Sequence, residues 1–222
     1  MELPENKVEL ARRGNKVVYD AGDRIVKVFN NSKPESDVFN EALNIARVTE
    51  AGVRVPRVLE VSQVADGAWA LSTEYVAGVT MRSLMDAAEG TDEYDRLLEQ
   101  FVDFQIEIQG TPAPELLKDQ KTKIAGMVGK TPDLDPSVRY DLQMRTDRMA
   151  PGHSICHCDF NPSNVIVAED GTLYACDWTH VTRGLPEADA AMTYVLFKMY
   201  HPGHAEAYLD LFSKKADVAK QK

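Results

Sequence analysis

The first third of the chain reads in short β-prone runs. Val17-Val18-Tyr19 is one, Ala21-Gly22-Asp23 is a turn signal, and Arg24-Ile25-Val26-Lys27-Val28-Phe29 alternates like a half-buried strand. After a loop at Asn30-Asn31-Ser32-Lys33-Pro34 the period changes. Val38, Phe39, Ala42, Leu43, Ile45, Ala46 and Val48 recur at helical spacing and predict a helix from about Ser36, stopped by Gly52. Two more strand-like runs follow, Val55 to Val61 and Trp69 to Val76, around the turn Ala65-Asp66-Gly67. Beyond Gly78 the pattern turns mainly helical. Leu97, Phe101, Phe104, Ile106 and Ile108 predict a helix over 92–109, broken by Thr111-Pro112-Ala113-Pro114. Further helix is expected over 115–150, interrupted between Pro132 and Pro136. Two short β-like runs, Asn164 to Ala168 and Thr172 to Cys176, flank the turn Glu169-Asp170-Gly171, and a last helical zone starts at Glu187. A β-rich first third followed by an α-rich remainder predicts an α+β protein of two lobes, residues 1–76 and 77–222.

Composition narrows the classes. The 222 residues are 44% apolar and 27% charged, the make-up of an ordinary globular protein. No run of 18 apolar residues suits a membrane span, and MELPENKVEL has neither the basic nor the apolar region of a signal peptide, so a cytoplasmic protein is expected. The formal net charge of −10 argues against nucleic acid as a partner. It fits either plain solubility or steering of a cationic substrate. The odd count of three cysteines, Cys156, Cys158 and Cys176, argues against a disulfide framework.

The segment His157-Cys158-Asp159-Phe160-Asn161-Pro162-Ser163-Asn164 carries the chemistry. Asp159 precedes Asn164 by five positions, and Asp177 follows Asn164 by thirteen, across the hairpin. Phosphoryl transfer needs a carboxylate to orient an acceptor hydroxyl and take its proton, the role that suits Asp159. Magnesium prefers oxygen ligands, which the Asn164 amide and the Asp177 carboxylate supply.

This constellation resembles the aminoglycoside phosphotransferase and choline kinase family, whose signature is an H-G-D-x-x-x-x-N loop followed by a strand ending in D-W. Here these are HCDFNPSN and Cys176-Asp177-Trp178, with Cys158 where the family usually has glycine. The resemblance implies a two-lobed protein-kinase-like fold: a small antiparallel-sheet N-terminal lobe with one helix, which binds nucleotide, and a larger, mainly helical C-terminal lobe for catalysis and acceptor binding. It implies that Lys27 contacts the α- and β-phosphates and that a helix glutamate pairs with it, Glu41 being preferred to Glu35. Backbone groups of Glu74 and Val76, in Ser72-Thr73-Glu74-Tyr75-Val76-Ala77-Gly78, would hold the purine edge. His157 and Asp189 would brace the loop around Asp159. The reaction implied is transfer of the γ-phosphoryl of Mg-ATP or Mg-GTP to a hydroxyl of a small molecule: an aminoglycoside, choline, a sugar or an amino alcohol. No G-x-G-x-x-G is present, and Gly14 is the only glycine ahead of Val17-Val18-Tyr19. Asp103, Glu107, Glu187 and Glu206 are candidates for holding a cationic acceptor. Relatives often carry further helices after this point, so a shallow pocket, a truncated chain or completion by another chain is expected.

Three rival readings compete. His153, Cys156, His157, Cys158 and Cys176 are zinc-type ligands, but H-x2-C-H-C fits no common tetrahedral spacing. A protein kinase would need D-F-G, A-P-E and a longer segment between Asp177 and Pro186. The presence of Lys27, Asp159, Asn164 and Asp177 together argues against a non-catalytic nucleotide-binding or interaction protein on a degenerate kinase fold.

Overall fold

The computed structural model describes residues 1–220. In chain order its elements begin with strands β1 (Val8–Arg13), β2 (Lys16–Asp20) and β3 (Arg24–Phe29), and helix α1 (Glu35–Glu50). Strands β4 (Val58–Gln63), β5 (Trp69–Glu74) and β6 (Gly78–Thr80) follow. Then come helices α2 (Met81–Ala87), α3 (Asp92–Gln109), α4 (Gln120–Lys130) and α5 (Pro136–Arg148). Strands β7 (Ser154–Cys156), β8 (Val165–Ala168), β9 (Leu173–Ala175) and β10 (Thr182–Gly184) precede helices α6 (Pro186–Tyr200) and α7 (Ala205–Ala216). No helix among the described residues is long and apolar enough to cross a membrane.

The chain forms two compact units. The first joins Met1–Thr80 to Val165–Thr179, and the second holds Met81–Asn164 and His180–Lys222. The first unit takes in residues 165–179, which the division at residue 76 leaves with the second lobe. The reason is pairing: β8 lies antiparallel to β6 and to β9, closing a three-stranded sheet. Gly78 is required there, because a Cβ would stand 2.2 Å from the Val167 carbonyl oxygen.

The main sheet of the first unit runs β1-β2-β3-β5-β4, every pair antiparallel. Strand β5, paired on both sides by β3 and β4, buries Ala70, Leu71, Ser72 and Thr73, as a strand covered on both faces must. Val26, Val64 and Ala70 form a core cluster on one face. Helix α1 buries Val38, Glu41, Ala42, Ile45 and Val48, a stripe at i, i+3, i+4, i+7. Phe39 and Leu43, expected on that stripe, are exposed, so the buried face is narrower than the apolar pattern.

In the second unit α3 supplies the core. Phe101 is fully buried and its ring lies 4.5 Å from Phe160, 5.8 Å from Phe197 and 6.3 Å from Tyr208. The expected helix over 115–150 is two helices, each started by an aspartate cap: Asp119 accepts from the Thr122 N–H, and Asp135, ahead of Pro136, from those of Ser137 and Val138. The β7–β10 ribbon was not predicted from the sequence. It pairs Thr182 with Cys156 and Gly184 with Ser154. Close approach beside it demands glycine, since a Cβ on Gly152 would stand 2.0 Å from the Gly184 carbonyl carbon.

Candidate active site

Glu41 is wholly buried among the apolar residues of α1, because position 41 falls in the stripe of 38, 42, 45 and 48. A carboxylate there needs cations. Lys27 Nζ donates to Oε1 at 2.8 Å and Lys33 Nζ to Oε2 at 2.6 Å. Burial alone would raise the Glu41 carboxyl, but Lys27 and Lys33 hold it down to about 2. Of the two glutamates the sequence offered as the partner of Lys27, Glu41 makes the contact. Glu35, in the first turn of α1, is exposed.

Lys27 reaches a second carboxylate. Its Nζ lies 3.3 Å from Asp177 Oδ1, and Lys16 Nζ donates to Asp177 Oδ2 at 2.8 Å. The Thr179 hydroxyl donates to Oδ1 at 3.1 Å. Burial favours a neutral Asp177, yet the two lysines keep the carboxyl far below its usual range. Burial likewise disfavours a charged Lys27, and Asp177 and Glu41 overcome it and hold the ammonium. Asp177 sits at φ 67, just after β9, with Trp178 buried behind it and anchored by its indole N–H on the Ala175 carbonyl at 2.9 Å. Left-handed backbone outside glycine costs energy and gathers at functional positions.

The second unit holds the loop from His157 to Asn164. Both oxygens of the Asp159 carboxylate are gripped by amides: Asn161 Nδ2 donates to Oδ1 at 3.2 Å and Asn164 Nδ2 to Oδ2 at 3.1 Å. The same two amides donate to the Asp159 carbonyl at 3.1 and 2.9 Å. This fixes the Asn164 amide with its nitrogen on Asp159, so its oxygen, the end a hard cation takes, is the other one. His157 is fully buried, and its Nδ1 accepts the Asp159 N–H at 3.3 Å.

Cys158 takes φ 62, a left-handed conformation that suits the glycine usual at this place. Its N–H donates to Asp189 Oδ1 at 2.7 Å. Asp189 is buried in the first turn of α6, and its other oxygen accepts from Gln109 at 2.8 Å and Gln105 at 3.4 Å. Burial pushes the Asp189 carboxyl up, against the pull of these bonds.

Glu74 and Val76 line an open cleft of about 630 Å³ with Tyr75, Ala77 and Tyr174. Lys27, Glu41 and Asp177 do not line it. The Glu74 carboxylate is held by Arg57, through its Nε at 2.8 Å and its backbone N–H at 3.1 Å. The Glu74 N–H donates to the Arg57 carbonyl at 2.9 Å.

The model of the phosphotransferase enzyme family matches residues 13–218. The chain belongs to this family. No curated protein matches the sequence significantly. Among solved structures, a thermostable mutant of aminoglycoside phosphotransferase APH(4)-Ia, in a ternary complex with AMP-PNP and hygromycin B, matches with a TM-score of 0.71 at 14% identity, over 98% of this chain and 80% of that one. A choline/ethanolamine kinase family protein from Mesorhizobium loti matches at 0.62 and 19% identity, over 95% and 70%. The GDP complex of an aminoglycoside 2'-phosphotransferase-IIIa mutant matches at 0.53 and 18%, over 94% and 80%. These likenesses show a kinase-like fold.

For this phosphotransferase the structure assembles two sets: Lys27, Glu41 and Asp177 in the first unit, His157, Asp159, Asn164 and Asp189 in the second. Lys16, Lys33 and Asn161 belong to them and were missed by the sequence reading. Lys16 could have been found from strand register, since it shares a face with Lys27. Two of the acidic candidates for an acceptor site are occupied at the surface, Asp103 by Lys215 and Glu206 by Lys198 and Tyr194. Among the described residues no group of three or more His, Cys, Asp or Glu is placed to hold a metal ion. Burial pushes the Cys158 thiol up to about 11, away from the thiolate a metal needs.

Proposed function

We propose that this chain transfers the γ-phosphoryl group of a magnesium nucleotide to a hydroxyl of a small molecule. The observation that carries the reading is Asp177, a carboxylate kept ionised by Lys27, which is itself paired to the buried Glu41. Asp177 would be a hard oxygen ligand for magnesium, as would the Asn164 amide oxygen. When bound, the metal neutralises charge building on the β- and γ-phosphates. Lys27 would hold the α- and β-phosphates, with Glu41 fixing its position and Lys33 completing the charge balance. Asp159 would orient the acceptor hydroxyl and take its proton, while Asn161 and Asn164 prevent the carboxylate from turning. His157 and Asp189 would keep the loop in shape. Backbone groups about Glu74 and Val76 would meet the base.

ATP or GTP would be the donor, a reading supported by the AMP-PNP held in one similar structure and the GDP in another. Hygromycin B in one of them and the choline/ethanolamine kinase name of another favour a hydroxylated, cationic acceptor, in keeping with a net charge of −10. The test is thermal unfolding with ATP and GTP, each with and without magnesium, followed by ADP or GDP release over a panel of aminoglycosides, amino alcohols and sugars. A magnesium-dependent rise in unfolding temperature and turnover with one acceptor class are expected. In Asp159→Ala turnover should fall at least about 10²-fold with nucleotide binding intact. If neither nucleotide stabilises the chain, the reading is wrong.

A further inference from the structure

Lys16 opens β2 directly after the Gly14-Asn15 turn. Lysines at hairpin ends ordinarily run their ammonium out to water. This one turns inward, its side chain only 13% exposed, onto Asp177. The fold does not require that. The turn is already closed by the Arg13–Lys16 pair and by Asn30, whose side-chain amide donates to the Gly14 carbonyl at 2.8 Å and whose N–H donates to that of Asn15 at 3.0 Å. Register sets the direction: Val18 lies opposite Lys27 and Lys16 opposite Phe29, so the period of two puts Lys16 and Lys27 on one face of the sheet.

Two ammonium groups therefore meet on one carboxylate. Across the whole network, Lys16, Lys27 and Lys33 face Glu41 and Asp177, leaving one positive charge in excess. Burying ammonium groups is costly unless they are fully compensated, so the surplus calls for an anion. The hairpin adds a second argument. A glycine-rich loop cradles phosphates with successive backbone N–H groups. A turn of two residues offers too few of them, and a side-chain cation on the same face can take over that work.

We propose that Lys16 is a second phosphate-binding residue of the nucleotide site, supplied by the β1–β2 hairpin in place of a glycine-rich loop. Its ammonium sits on an Asp177 oxygen that a metal ion would take. Nucleotide binding exchanges its partner, carboxylate for phosphate, and frees that oxygen. The inference rests on the phosphotransferase reading above.

Calorimetric titration of the full chain tests it, with adenosine, Mg-ADP and Mg-ATP, or the guanine set if GTP is the donor. Lys16→Gln should bind Mg-ADP and Mg-ATP roughly tenfold more weakly or worse. Its affinity for the nucleoside should not change, and Lys16→Arg should restore most of the loss. Lys16→Met, which keeps the aliphatic stem, gives the same comparison if the Gln variant does not fold. Unchanged Mg-ATP affinity in the neutral variant overturns the inference, as does an equal loss for nucleoside and triphosphate. Wild-type chain that binds neither nucleotide refutes the function itself instead.

Discussion

Replacing Glu41 by Gln tests the electrostatic centre of the first unit. The change keeps shape and removes one charge from a site with no solvent exposure. The carboxyl is held down to about 2 from an ordinary 4.5. At about 1.36 kcal/mol per pH unit, ionised Glu41 contributes about 3 kcal/mol. The range of about 3–5 kcal/mol for breaking a buried ion pair agrees. A depressed folded pKa means that this contribution is complete above pH 4.5 and drains away as pH falls towards 2. The stability gap between wild type and Glu41→Gln should therefore be about 3 kcal/mol at pH 7 and less than half of that at pH 3. Asp177 is present in both proteins, so its own titration largely cancels. Urea denaturation followed by tryptophan fluorescence reads the right region, because both tryptophans, Trp69 and Trp178, lie in the first unit. A gap below about 1 kcal/mol at pH 7, or one of equal size at pH 7 and pH 3, would refute the reasoning.

Two further substitutions probe the second unit. Gly152→Ala drives a Cβ into the backbone of Gly184 and should cost about 1–3 kcal/mol or more, seen as a lowered thermal midpoint; a neutral result would mean the two segments can move apart freely. Asp189→Ala removes the acceptor of the Cys158 N–H and of two glutamines, and should cost about 1–3 kcal/mol. Amide exchange at Cys158 should speed up in that variant, and unchanged exchange would show that Asp189 does not hold the loop.

What the sequence disclosed followed from the range of the forces involved. The residues of the HCDFNPSN loop and Asp177 were legible because their chemistry needs fixed types within a short stretch. Lys27 and Glu41 came with the family resemblance, which calls for a lysine on the third strand and a glutamate on the following helix. Lys16 and Lys33 stayed hidden for different reasons. The partner of Lys16 is 161 residues away, and a lysine after a turn looks like any exposed one. Lys33 sits in a polar loop whose pattern does not say that it folds back on Glu41 and over the Phe29 ring at 4.4 Å. The strands β6, β7 and β10 are three residues each, too short for a period to show, and they exist only through distant pairing. The exposure of Phe39 and Leu43 shows the limit of the apolar stripe as a guide to burial.

The pairing of β6 with β8 has a consequence for how the protein is made. Arg54 donates to the Leu173 carbonyl and receives the Ala175 N–H, and Asn44 donates to the Trp178 carbonyl. When a ribosome has released residues 1–80, none of these partners has been synthesised. The missing strip arrives about 100 residues later, which at roughly 5–20 residues per second is on the order of 5–20 s. Throughout that interval the nascent chain holds Lys27 and Glu41 but no Asp177, so a chain abandoned midway has the lysine without the carboxylate that would complete its site.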